Sequence, residues 1–196
     1  MEKTTTSGRD ALNELINKAK FHADEALDVG SHVTPTLYIH CHDGTTTGYP
    51  LDKILEDEVT LSSNLRLMCV AEGADAIVLC AEAFMLREAP RDKNNLYAPA
   101  TELSEREEVL VLLVESREVS FQRVLPVIRM DDEQFFRFGE EFDIHKSSLS
   151  SQMGSFLGDA IPDKIEQQRA ESVLEAQGIF PINGKGRERS LGRAWF

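Results

Sequence analysis

Two histidines two residues apart, in the run His40-Cys41-His42-Asp43, are the nearest thing in this chain to a metal-binding pattern. Alternate residues of a strand project from one face, so His40 and His42 could together grip a divalent metal such as zinc. A catalytic zinc takes three protein ligands, so a third must arrive from elsewhere, and Asp43, Glu82 and His145 are the nameable donors. Glu82 would then serve as base for a bound water, giving a metal-dependent hydrolase. The plainer alternative is that His40 and His42 decorate the polar side of a hairpin whose other side holds Leu37, Ile39 and Cys41.

Glu82 draws notice a second time because it interrupts the apolar run from Val78 to Met85, where an ionised carboxylate is costly unless paired or protonated. Such a group can act as a catalytic acid or base. Pairing with Arg123 or Arg129, or an exit at the strand end, is the structural expectation. Covalent catalysis has no signature: Gly-x-Ser-x-Gly does not occur, and Cys41, Cys69 and Cys80 sit among apolar neighbours with no Cys-x-x-Cys pair. Three thiols of this kind point to a reducing, cytoplasmic setting. Gly184-Lys185-Gly186 lacks both the upstream glycine and the Ser or Thr of a phosphate loop. The histidine pair resembles the start of the metallo-β-lactamase pattern His-x-His-x-Asp-His, but Gly44 and Thr45 stand where Asp and His belong. It also resembles the His-x-His of JAMM-type metalloproteases, with Pro50 and Lys53 in place of that family's Ser and metal-binding Asp.

Charge narrows the partners. Of 196 residues, 21 are Lys or Arg and 34 Asp or Glu, a net charge of -13 that repels phosphate backbones and anionic lipid. Nucleic acid and membrane are therefore excluded as default partners, and no apolar run approaches the roughly 18 residues of a membrane span. One stretch runs the other way. Residues 179–196 hold Lys185, Arg187, Arg189 and Arg193 against Glu188, a net of +3, so the remainder carries -16. Arg187, Arg189, Arg193, Trp195 and Phe196 combine cations with aromatic surface, the mixture that docks on an acidic partner. A second copy of the chain, forming a homodimer, is the first partner to consider, and another protein the next.

The elements that must position these groups follow from periodicity. Residues 1–8 read as a flexible start, 9–178 as a single domain and 179–196 as a basic tail. Leu12, Leu15, Ile16, Ala19, Ala23, Ala26 and Leu27 recur at helical steps that should stop before Gly30. Residues 36–42 alternate as a half-buried strand, Asp43-Gly44 suits the centre of a type I′ turn, and 45–49 return as its partner. Helix across 51–73 leads to strand at 76–86, a long loop at 87–103, and strands at 109–114, 121–130 and 134–138. Pro126 lacks an N–H, which places its strand at an edge or in a bulge. After a linker at 147–151, short helices are expected around Phe156 and over 163–177. The order predicts an α+β fold, a mixed and mostly antiparallel sheet of five or six strands with helices packed on one face.

Residues 74–115, with Ala81-Glu82-Ala83-Phe84-Met85 and Ser104-Glu105-Arg106-Glu107-Glu108-Val109, resemble a family of uncharacterised bacterial proteins of similar length. The resemblance implies a bacterial or phage cytoplasmic origin and carries no activity. The reading that results is a non-enzymatic, cofactor-free interaction module that self-associates through an exposed strand edge or its aromatic tail. The hydrolase built on His40 and His42 is the alternative.

Overall fold

A computed structural model of the chain describes residues 8–52, 58–86, 106–130, 136–145, 155–158 and 160–182. Helix α1 (Gly8–Asp28) forms on the predicted stripe: Leu12, Leu15, Ile16, Ala19, Ala23 and Leu27 are buried, and Ala26 is half-buried against them. It ends at Gly30, whose φ of 71° supplies a left-handed cap, with the Ser31 N–H on the Ala26 carbonyl and the Gly30 N–H on the Leu27 carbonyl, both at 2.9 Å. No helix among the described residues is long and apolar enough to cross a membrane.

Strands β1 (Thr36–Cys41) and β2 (Thr46–Pro50) make the predicted hairpin, but its turn sits one residue earlier than the type I′ reading placed it. The Gly44 N–H donates to the Cys41 carbonyl, so His42 and Asp43 are the central residues and Gly44, at φ 86°, follows them. Asp43 decides the matter, because its Oδ1 accepts both the N–H and the hydroxyl of Thr45 and so closes a three-residue loop.

Helix α2 (Glu58–Ala71) precedes the long strand β3 (Ala74–Leu86); β4 (Arg106–Ser116), β5 (Ser120–Arg129), β6 (Phe136–Phe138), β7 (Phe142–His145) and helix α3 (Lys164–Ala176) complete the chain order. The strands lie β2-β1-β3-β4-β5-β6, with β7 also paired to β5, and every pairing is antiparallel. The α+β class and the antiparallel sheet are as the sequence indicates.

Three particulars differ. Among the described residues seven strands are present, the unexpected one being β7. The described residues around Phe156 form a bend, not a helix. Helices cover both faces, because β1 and β3 are apolar at consecutive positions and each side of the pleat needs its own layer. Helix α1 buries Tyr38, Val78, Cys80, Leu110 and Leu112 on one face. Helices α2 and α3 bury Leu37, Ile39 and Ile77 on the other. Strand β1, flanked by β2 and β3, is thus central and buried on both sides, where alternation alone suggested a half-buried strand.

Pro126 does not mark an edge. Strand β5 lies between β4 and the two short arms β6 and β7, and the proline faces the gap between those arms. Its carbonyl accepts the Gly139 N–H at 2.8 Å, so the position that lacks a donor is turned towards a place where the neighbour has already left the ladder. Space around Gly139 is tight: a Cβ on it would stand 3.1 Å from the Pro126 Cβ, so a larger residue would have to push the proline back by a few tenths of an ångström.

Candidate functional site

The fold separates the groups that the sequence placed together as metal donors. His40 pairs with Ala76 of β3, whereas Glu82 lies six residues further along that strand, about 20 Å at strand rise. His145 is on β7, four strand spacings or about 19 Å from β1. His42 is mostly exposed and its Nδ1 lies 2.8 Å from Asp75 Oδ2, a carboxylate that also faces the Arg117 guanidinium. Asp43 is turned to Thr45. The His40 Nδ1 is buried without a hydrogen-bond partner, beside a cavity of ≈ 250 Å³ lined by Ala11, Asp75, Ser116 and Arg117. Among the described residues no three His, Cys, Asp or Glu side chains converge as a metal-binding group.

Glu82 is partnered, though not by the expected arginines. Its Oε1 accepts the Val33 N–H at 2.8 Å and its Oε2 lies 3.0 Å from His32 Nδ1. Arg123 and Arg129 are instead bidentate to Asp143 and Glu108, their opposite or near neighbours on adjacent strands. Cross-strand reach decides this: a guanidinium takes the carboxylate one ladder step away before one further off.

The carboxylate most deeply engaged is one the sequence did not single out. Glu115, near the end of β4, is 2% exposed and accepts three donors from one segment: the Ser155 hydroxyl, the Phe156 N–H at 3.2 Å and the Leu157 N–H at 3.1 Å. Arg117 holds the same segment from the other side, donating to the Gly158 carbonyl at 2.8 Å and to the Ala74 carbonyl at 3.2 Å. Together they clasp residues 155–158 over a ≈ 450 Å³ cavity between α2 and α3. The available signal was an acid closing the apolar run Val109 to Val114, the same signal that drew attention to Glu82.

A second missed carboxyl, Glu72, lies at the α2 end of the β1–β2 hairpin. The Tyr49 hydroxyl donates to its Oε1, and the Cys41 thiol lies 3.8 Å from its Oε2. Burial pushes the Glu72 carboxyl above the usual carboxylate range; the two donors pull it back in part, and Glu171 and Asp43 push it up further. Burial likewise pushes the Cys41 thiol up to about 12, which makes it inert as a nucleophile near neutrality. A raised carboxyl holds its proton in the folded state over a range where the unfolded chain has released it. Its contribution to stability is therefore complete below the unfolded value of about 4.3 and is lost as pH rises through the folded value. Glu72→Gln, which keeps an acceptor for Tyr49 and cannot ionise, is expected to match the parent near pH 4 and to be the more stable protein at pH 8. Urea unfolding across that range checks it, and a difference that shrinks with rising pH would contradict the assignment.

Apolar rows also lie on the α2–α3 face of the sheet, beyond those helices. Residues paired across the ladder share a face, and the rows read Leu79-Leu113-Gln122-Ile144, Ala81-Val111-Val124-Phe142 and Ala83-Val109-Pro126, ending at Met85, Glu107 and Ile128. Gln122 and Glu107 are the only polar members. Val109, Val124 and Pro126 are buried, Phe142 and Ile128 are exposed, and the others are half-buried. A cavity of ≈ 530 Å³ opens at one end of this grid, lined by Met85, Pro126, Ile128, Gly139 and Phe142 with Glu107, Glu140 and Glu141. Of its three carboxylates, Glu141 is paired with Lys20 and lies 3.6 Å from the Arg123 guanidinium. The predicted interaction residues Arg187, Arg189, Arg193, Trp195 and Phe196 lie outside the described residues.

Comparison of the chain with protein-family models, with curated proteins and with solved structures finds no match.

Proposed function

We propose that this protein is a non-enzymatic interaction module that self-associates, and that its working surface is the apolar grid on β3, β4, β5 and β7. The observation that carries this reading is the grid itself: two rows across four strands and a third across three, with one polar residue, Gln122, among them. Water is already excluded from its centre at Val109, Val124 and Pro126, so the part open to a partner is the end where Ile128 and Phe142 are exposed, and exposed apolar surface rimmed by charge is the usual form of a protein contact site. Three free, buried cysteines fit a reducing compartment such as the cytoplasm.

Sedimentation velocity over a concentration series tests it. The intact chain is expected to show a concentration-dependent dimer. Ile128→Asp, which places a charge on an exposed grid position, is expected to weaken that dimer at least ~10-fold, or ~1.4 kcal/mol. A chain that stays monomeric at the highest soluble concentration would remove the proposal.

A further inference from the structure

We infer that the cavity between α2 and α3 is a binding site for a small amphipathic monoanion, a single carboxylate on an apolar body such as an acyl chain. The site lies apart from the grid, and the inference does not rest on self-association.

Shape is the first argument. The residues that α2, α3 and the start of β3 bring to the bottom of this cavity are small: Cys69, Ala170 and Ala74, all buried. Small side chains leave open the room that leucine or phenylalanine would fill. Phe156 and Leu157, also buried, form one wall, and Glu115 and Arg117 hold that wall in place through its backbone. The volume, ≈ 450 Å³, falls within the roughly 300–1,000 Å³ of small-molecule sites. The mouth is open to water, since Ile161 and Val173 are 41% and 43% exposed and Leu67 and Val70 are half-buried. An apolar ligand body entering there removes apolar surface from water on both sides.

Polarity is the second. The acceptors around the cavity already have donors. The Arg117 guanidinium takes the Gly158 and Ala74 carbonyls, the Ser155 hydroxyl takes the Leu157 carbonyl, and the Gln167 side-chain amide takes the Pro162 carbonyl. Glu166 accepts the Asp163 N–H at 2.9 Å in the capping box of α3. Arg169 is different: among the described residues its guanidinium makes no hydrogen bond or ion pair. A ligand carrying donors would compete for acceptors in use, whereas a carboxylate offers two oxygens to a guanidinium fork.

Charge sets the valence. Arg117 faces Asp75 at 3.5 Å, and Glu166 stands three residues before Arg169 on α3. One carboxylate balances Arg169, while a phosphate dianion would place a second negative charge beside Glu166.

Calorimetric titration of the full-length chain with octanoate, octanol and acetate tests this. Octanoate is expected to bind saturably, one per chain, and at least ~5-fold more tightly than octanol, which has the chain without the charge. Acetate, which has the charge without the chain, should bind more weakly than either. Arg169→Gln removes the cation from an exposed helical position and should leave the fold unchanged by circular dichroism. It is expected to abolish the preference for octanoate over octanol and to leave octanol binding as it was. Val70→Phe, filling the cavity from a half-buried position, should weaken both ligands, and Arg169→Gln decides alone if that variant does not fold. Ile128→Asp, at the far grid, should leave octanoate binding unchanged. The inference falls if octanoate does not saturate, if Arg169→Gln keeps the preference for octanoate, or if Ile128→Asp removes the binding. The oligomeric state of the chain bears on none of these outcomes.

Discussion

Glu115→Ala is expected to cost about 3 kcal/mol of folding stability, read as a lowered urea midpoint with little change in slope. The carboxylate is 2% exposed and is the common acceptor for the Ser155 hydroxyl and for the Phe156 and Leu157 N–H groups. Alanine leaves two backbone donors buried with no acceptor, and an unmet buried donor costs roughly 1–3 kcal/mol. Water entering the vacated space would recover part of this, so the lower half of the summed range is the one expected. Glu115→Gln keeps one acceptor oxygen but presents an amide NH₂ to groups that also donate, so it should fall between the parent and alanine. The loss is also local. Hydrogen exchange at the Phe156 and Leu157 amides should accelerate more than at β3 amides, because those two N–H groups then lack an acceptor and the stretch is held by Arg117 and by packing of the Phe156 and Leu157 side chains. A change below about 0.5 kcal/mol, the size of an ordinary surface substitution, would mean that these three donors have other acceptors.

Leu15→Ala is expected to cost about 3 kcal/mol, within the 2–5 kcal/mol typical of buried leucines. Leu15 is fully buried in the layer formed by α1 with Tyr38, Val78, Leu110 and Leu112. Among the described elements α1 is the only helix on that face, so the space left by the missing carbons can close only if the helix moves as a body. Phe21 on the same helix is 59% exposed, and Phe21→Ala should change stability by no more than about 0.5 kcal/mol. The pair separates packing from helix propensity, since both substitutions introduce alanine into one helix. Equal losses from the two would show that α1 does not dock through the Leu15 side.

Legibility from sequence followed the range of the interaction. Helix α1 and its end at Gly30, the β1–β2 hairpin and the α3 helix ending near Gly178 were readable because each is specified within a few residues, by side-chain period or by cap chemistry. The Asp43-Gly44 turn was misplaced by one residue for a reason equally local, an Asp43 side chain that bonds to Thr45. The second helical face was missed because consecutive apolar residues in β1 were read as alternation, and only pairing on both sides of β1 shows that both its faces are interior. Pro126 was read correctly as an interruption of the ladder and wrongly as an edge. An N–H-free position can be matched by a gap in the neighbouring strand, and that gap between β6 and β7 lies some twelve residues further along the chain.

The candidate site divides in the same way. His40 and His42 were expected to share one strand face, but β1 ends at Cys41 after a register shift and His42 lies in the turn, while strand order put Glu82 and His145 about 20 Å off. What Glu115 and Glu72 bind was invisible because their partners are 23 to 42 residues away. By itself the sequence determined the composition of the two opposed surfaces, an acidic body and a cationic aromatic segment, since charge is additive along a chain. Only the tertiary structure decided that the apolar residues of β3, β4, β5 and β7 fall into rows beside three carboxylates, because rows across a sheet are set by register between strands and no single strand encodes its neighbour's register.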